Sequence, residues 1–139
     1  MSLAAIITQM ATIEAAITGI KHAYDNPDEA INEPPCFVNV PDGPPVVLRS
    51  PGSVRQTTHR IKALCLVVRG GSITTADKEL RPYLEATFSA FDAKITLNGA
   101  CAHSRIVSAK YGEISWGGQP YLGWSFELEV MERNIVTMA

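Results

Sequence analysis

The residue types that most often carry catalytic chemistry are scattered along this chain. The histidines, His22, His59 and His103, are isolated in sequence. His59 and His103 each have an arginine and a hydroxyl residue nearby, and each is predicted at the outer end of a strand. A histidine that acts as a general base needs a cleft, and the sequence identifies none. We therefore expect solvated or hydrogen-bonded histidines.

The one serine motif is incomplete. "GWSFE" (123–127) begins like the G-x-S-x-G nucleophile elbow, but Glu127 stands in place of the last glycine. The motif also lies inside a strand pattern, where the sharp strand-to-helix turn of an elbow cannot form. Neither a zinc-protease H-E-x-x-H, a P-loop nor a G-x-G-x-x-G occurs. The sequence therefore predicts no catalytic Ser125 and a protein that is not an enzyme.

Two groups of residues could in principle bind metals. The three cysteines are far apart and lack a C-x-x-C, which argues against a disulfide framework or a zinc site and predicts buried free thiols. Residues 25–35, here called the acidic loop, carry enough carboxylates for a hard cation. Prolines interrupt them, and their spacing is not that of an EF-hand. We expect no metal and no cofactor.

Composition predicts one globular domain over residues 1–139. The chain is 46% hydrophobic and 19% charged, which is typical of a soluble protein. A net charge of -2 gives no indication of a nucleic-acid binder. The N-terminus has no basic region, and polar residues interrupt its apolar run, so neither a signal peptide nor a membrane span is expected. The prediction is a protein assembled inside a cell.

Two helices are predicted. Apolar residues at helical spacing indicate a helix over 3–18, with Ser2 as N-cap, Gly19 as the stop, and Glu14 mostly on the side away from the apolar stripe. The second helix covers 75–92. Pro82 lies inside it, which predicts a kink or a regular helix that begins near Pro82.

The strand patterns predict a sheet made mainly of hairpins. Strands are expected at 20–24, 36–40, 102–115 and 120–132, and a long hairpin over 46–68 has its tip at 50–53. Only the crossing over the second helix looks long enough to join parallel neighbours. The fold class is therefore α+β: a mainly antiparallel sheet with two helices packed on one face and a projecting hairpin arm.

The last strand alternates cleanly between apolar and polar residues. The pattern places Trp124 and Phe126 under the helices, and Glu127 and Glu129 on the opposite face. Trp116 differs, because it precedes the Gly117-Gly118 turn. It is predicted either as a contact with another subunit or a partner protein, or as part of a locally packed turn.

Charge is segregated along the first half of the chain. Residues 25–42 contain five acids and no lysine or arginine, namely Asp25, Asp28, Glu29, Glu33 and Asp42. Residues 43–76 contain five bases and no acid, namely Arg49, Arg55, Arg60, Lys62 and Arg69. These are either two solvated surfaces or complementary ones, in which the basic arm of one subunit reaches the acidic loop of its neighbour in a ring. The arm could also meet a partner protein or a phosphate backbone, although five charges are modest for DNA binding.

Four stretches together resemble tail terminator (tail completion) proteins of long-tailed phages, prophages and gene transfer agents. They are "MSLAAIITQMATIEAAITGIKHAYDNPDE", "VRQTTHRIKALCLVVRGG", "ELRPYLEATFSAF" and "YGEISWGGQPYLGWSFELEVMER". The resemblance covers nearly the whole chain, in order.

The resemblance implies a hexameric ring of identical subunits at the head-proximal end of the tail tube. Such a ring ends tube polymerisation, presents the surface that joins the head connector or stopper protein, and lets double-stranded DNA pass through its lumen without sequence preference. Its place is the tail–neck junction of the virion, assembled in the host cytoplasm. No interface residue is carried over from the family; the basic arm, the acidic loop and Trp116 are candidates on charge and hairpin geometry alone.

Two alternatives remain. One is another phage neck or head-completion protein, which would share the ring and the lumen. The other is a small homo-oligomeric enzyme or ligand-binding domain with its site under the basic arm.

Overall fold

The computed structural model describes residues 2–24, 34–49, 54–68 and 73–135. Within these ranges it contains three helices and a six-stranded sheet. The helices are α1 (Leu3–Ala15), α2 (Ile73–Leu80) and α3 (Pro82–Asp92). The strands are β1 (His22–Tyr24), β2 (Cys36–Pro41), β3 (Val46–Arg49), β4 (Val54–Val68), β5 (His103–Trp116) and β6 (Gln119–Ile135).

The first helix begins where the sequence predicts. The Ser2 hydroxyl accepts a hydrogen bond from the Ala5 N–H at 3.2 Å, the expected N-cap contact. The helix ends at Ala15, earlier than predicted, because the chain then forms i to i+3 hydrogen bonds from Ile17 to Glu14 and from Ile20 to Ile17. Gly19 follows with φ +94°, and a Cβ there would lie 2.6 Å from the Tyr83 hydroxyl, so only glycine fits without rearrangement.

The predicted second helix is divided at Arg81. α2 ends at Leu80, and α3 begins at Pro82. Of the two predicted outcomes, this is the regular helix that begins near Pro82. Proline at the first position of α3 costs no hydrogen bond, because the first N–H groups of a helix have no partner within it.

The sheet has the order β1-β2-β4-β6-β5, and β3 pairs with β4 beside the end of β2. β4 pairs with β6 along its whole length, from Val54 opposite Ile135 to Val68 opposite Tyr121. All described pairings are antiparallel except β1 with β2, which are parallel. We expected parallel neighbours only across the second helix, and this was wrong. A parallel pair requires the chain to return along the length of the first strand, and β1 has only three residues, so the return distance is short.

The two strands of the predicted hairpin arm lie beside a third strand of the sheet. β3 pairs antiparallel with the first residues of β4, with Val46 opposite Thr58 and Arg49 opposite Arg55. The same part of β4 also pairs with β6, so the described strands form a three-stranded end of the sheet. The predicted tip, residues 50–53, lies outside the described residues, and the projection of an arm stays a prediction.

The main core lies between the helices and one face of the sheet, as predicted for an α+β domain. Phe126 is fully buried there, with ring centroids 6.4 Å from Phe37 and 6.0 Å from Phe88. The Trp124 indole N–H donates to the Leu80 carbonyl at 3.0 Å, which ties β6 to the end of α2. The predicted position of the aromatic residues of the last strand under the helices is therefore confirmed.

A second apolar cluster lies on the sheet face opposite the helices. Its buried members are Cys36, Val38, Leu64, Leu66 and Tyr121. Trp116 is half-buried and packs against this cluster. The contact supplies the local packing that one of the two interpretations of Trp116 required.

Candidate subunit interface

The candidate interface lies at the outer end of the sheet, formed by β3, residues 54–60 of β4 and residues 129–135 of β6. Four of the predicted interface residues belong to β3 and β4: Arg49, Arg55, Arg60 and Lys62. Because side chains alternate along a strand, these four divide between the two faces of the sheet. Arg60 and Lys62 lie on the face opposite the helices, and Arg49 and Arg55 lie on the other.

Arg60 and Lys62 already have acidic partners within the chain. Arg60 lies 3.3 Å from Glu127 and 3.7 Å from Glu129, both on the adjacent strand β6. Lys62 lies 3.7 Å from Asp42. These pairs are partly exposed, so each stabilises the fold by less than about 1 kcal/mol. Their charges are nevertheless largely compensated, which leaves them less to offer a neighbouring subunit than the sequence suggests.

Arg49 and Arg55 are in the opposite situation. They are directly opposed in the register of β3 and β4, so two guanidinium groups share one face of the sheet. Like charges in directly opposed positions destabilise a pair of strands. Among the described residues neither has an acidic group within ion-pair distance, and Arg55 Nε is buried without a hydrogen-bond partner. An anionic group close to the two guanidinium groups would relieve the repulsion between them.

β3 itself is exposed and apolar. Val46, Val47 and Leu48 keep 60%, 50% and 58% of their surface accessible. No other described strand pairs with the edge of β3 that faces away from β4. An unpaired apolar edge strand is a ready template for another chain, and proteins usually protect such edges with charge, bulges or cover.

The sheet's other edge carries such protection. β5 has a bulge at Val107, between the paired residues Ile106 and Ser108. Lys110 follows on the same strand, and lysine on an edge discourages pairing. The β5 and β3 edges therefore differ, and among the described strands β3 offers an exposed apolar edge without such protection.

The three histidines lie in three different settings. His59 Nε2 lies 3.6 Å from Glu132 Oε2, beyond hydrogen-bond distance, and both side chains are largely buried. The Asn134 amide donates to Glu132 Oε1 at 3.1 Å. His22 packs edge-on against Tyr24. His103 is exposed and lines a shallow cavity of about 210 Å³ together with Arg105 and Glu129.

The three thiols lie in the interior of the protein. All three cysteines are free and buried, as predicted. Burial raises the pKa of the Cys36 thiol to about 12 and that of Cys65 further still, so neither forms the reactive thiolate near neutral pH. Ser125 lies within β6, opposite Leu64, and has no turn around it.

Glu14 is the titratable residue that sequence reasoning misplaced. It was expected mostly on the outer side of α1, but it is fully buried, because it lies one turn after Met10 and two turns after Ile7 on the core face. The Asn39 amide donates to Glu14 Oε1 at 2.5 Å. Burial raises the pKa of the Glu14 carboxyl well above its ordinary value, and the Asn39 hydrogen bond only partly offsets this.

The acidic loop cannot be placed. Asp25, Asp28, Glu29 and Glu33 lie outside the described residues, as does Arg69. Among the residues that are described, no group of metal-ligating side chains comes together. None of the described helices is both long and apolar enough to cross a membrane.

Protein-family models and curated proteins were compared with the chain. Neither comparison found a match.

One exposed contact joins α2 to β5 and gives a testable titration. The Tyr111 hydroxyl donates to Asp77 at 2.6 Å, and Arg81 lies 2.8 Å from the other Asp77 oxygen. The Tyr111 hydrogen bond is the largest single cause that holds the pKa of the Asp77 carboxyl below its ordinary value, and the hydrogen bond and charge of Arg81 lower this pKa as well. A lowered pKa means that the carboxylate stabilises the fold above the ordinary carboxyl pKa, an effect lost as the pH falls.

We expect Tyr111→Phe to raise the pKa of Asp77, because the carboxylate loses its hydroxyl donor but keeps Arg81. Arg81→Gln is the matched variant and should also raise it, because the carboxylate then loses its ion pair. An NMR titration of the Asp77 carboxyl measures both shifts. An unchanged pKa in Tyr111→Phe would mean that the ion pair, and not the hydrogen bond, sets this pKa.

Proposed function

We propose that this chain is a structural subunit that assembles into a ring, and that the ring is the tail terminator of a long-tailed phage, prophage or gene transfer agent. The observation that carries the proposal is the outer end of the sheet, where an unpaired apolar edge strand adjoins two opposed arginines. A surface of this kind is suited to a protein partner that supplies backbone hydrogen bonds, apolar contacts and acidic groups.

The burial and contacts of the cysteine and histidine side chains are consistent with this role. The thiols are buried and protonated, and His59 contacts Glu132. Three cavities lined by described residues are shallow, with volumes of about 210 to 310 Å³. They lie at or below the lower limit of typical small-molecule sites.

The role proposed for the ring is geometric. One face would bind the last ring of the tail tube and end its polymerisation, and the other would receive the head connector or stopper. DNA would pass through the lumen without base-specific contacts. The terminator role among ring-forming phage proteins rests on the sequence resemblance, which extends over nearly the whole chain.

The terminator role predicts a specific effect on tube growth. Purified protein added to polymerising tail-tube protein from the same genome should cap tubes at one end and shorten them in proportion to its concentration, as seen by electron microscopy. Tubes of unchanged length with bare ends would contradict the terminator role. A ring that binds only the head connector would indicate another neck protein.

A further inference from the structure

We propose that β3, together with Arg49 and Arg55, receives residues 28–33 of the acidic loop from a second copy of the chain, as an added edge strand. The inference rests on the proposed function in that it requires assembly of identical subunits. It names the two surfaces that would join them.

The backbone and apolar part of the contact come from β3. All four residues of the strand are exposed, and its outer edge has no partner among the described strands. A strand that adds to this edge gains main-chain hydrogen bonds, and side chains on alternate positions give the contact its specificity. Residues 28–33 read "DEAINE", in which Ala30 and Ile31 supply apolar side chains for Val46, Val47 and Leu48.

The electrostatic part comes from the opposed arginines. Arg49 and Arg55 lack an acidic partner among the described residues, and the "DEAINE" segment places acids on both sides of its apolar pair. A guanidinium and a carboxylate form short, charge-assisted hydrogen bonds. The acids would remove the repulsion between the two arginines, so the contact is complementary in charge as well as in hydrophobicity.

The chain's own acidic loop is tethered too far from β3. Tyr24, which precedes the loop, lies at the level of Leu64 in β4. Pro34 comes two residues before β2, which begins at the level of Leu66. β3, by contrast, lies opposite residues 55–58. The loop is therefore anchored at the inner end of the sheet, and its proposed receptor is at the outer end.

The distances exclude a contact within one chain. At about 3.3 Å per residue, β3 begins about 20 Å from Tyr24 along the sheet and about 30 Å from the level of Pro34. A path out to β3 and back needs about 50 Å. The chain from Tyr24 to Pro34 spans at most about 36 Å when fully extended. Only the loop of another copy can reach β3.

The same separation is compatible with a head-to-tail contact. The loop leaves one end of the sheet and the receptor lies at the other, so each copy offers two different surfaces. Such a head-to-tail contact propagates from copy to copy and closes into a ring when the rotation permits. A symmetric dimer would instead form both contacts between the same two copies, and the measured copy number distinguishes the two assemblies.

A charge exchange between two variants tests the pairing. Arg49→Glu/Arg55→Glu and Asp28→Lys/Glu29→Lys/Glu33→Lys each place like charges in contact, so each alone should associate about tenfold more weakly than the unmodified chain, or worse. An equimolar mixture restores opposite charges at every contact of an alternating ring. We expect the mixture, and a single chain with all five substitutions, to recover assembly in sedimentation velocity and native mass spectrometry.

Controls separate this inference from folding and from the proposed function. Arg49→Glu alone changes an exposed side chain, and circular dichroism checks that each variant is folded. Val47→Lys should also weaken assembly, whereas Val107→Lys, at a site 40% exposed on the bulged opposite edge, should not. Variants that assemble like the unmodified chain, or a mixture that fails to recover, would overturn the inference and leave the ring intact. If the unmodified chain forms no ring even in the presence of tail tubes, the proposed function itself fails.

Discussion

Replacement of Phe126 by alanine is expected to lower the free energy of unfolding by about 3–5 kcal/mol. Phe126 is fully buried at the centre of the helix-covered face, where it packs between Phe37 on the sheet and Phe88 on α3. Truncation removes its apolar surface from the core and leaves a cavity that the rigid sheet cannot close. Urea denaturation followed by circular dichroism measures the loss.

Val107→Ala is the matched control for this substitution. Val107 also lies on a strand of the sheet, outside the proposed interface, but 40% of its surface is exposed, so its truncation should change the free energy of unfolding by no more than about 0.5 kcal/mol. A Phe126→Ala protein as stable as the control would contradict the placement of β6 beneath the helices.

The second large effect concerns Glu14, whose replacement by glutamine should remove a dependence of stability on pH. The folded state holds the Glu14 proton more tightly than the unfolded state, because burial disfavours the carboxylate. Stability is therefore greatest below the ordinary carboxyl pKa and falls as the pH rises from there toward the raised value. The fall is roughly 1 kcal/mol for each pH unit within that window.

Glutamine keeps the shape of Glu14 and its capacity to accept from Asn39, but carries no proton to lose. Glu14 Oε2 and Asn39 Oδ1 are both buried without partners, and the glutamine amide supplies donors that a carboxylate lacks. Denaturation at pH 5 and pH 8 should show Glu14→Gln gaining on the unmodified protein at the higher pH. A variant that loses stability relative to the unmodified protein at pH 8 would mean that the charged carboxylate stabilises the fold.

Features set by neighbours in sequence were predictable. The Ser2 cap, the break at Pro82 and the alternation of β6 each follow from a few consecutive residues, and each was confirmed. The end of α1 was wrong, because the last turn tightens into i to i+3 hydrogen bonds. The predicted outward position of Glu14 was also wrong. Its position on the helix can be read from the sequence, but its polar partner Asn39 comes from a strand 25 residues later.

The candidate interface shows the same division. The sequence identifies the basic residues of β3 and β4, but their partners depend on strand register. Arg60 meets Glu127 because β4 and β6 are adjacent, a pairing between residues 67 positions apart. The opposition of Arg49 and Arg55 follows from the register of β3 with β4. Charge alone therefore grouped four residues that the fold separates into two pairs.

Native mass spectrometry with negative-stain electron microscopy of the purified protein tests the proposal that this chain assembles into a ring. We expect a closed ring of six subunits with an open lumen, dissociating as salt is raised because charged contacts contribute to closure. A compact monomer or a symmetric dimer at every concentration, with no ring even in the presence of tail tubes, would contradict it.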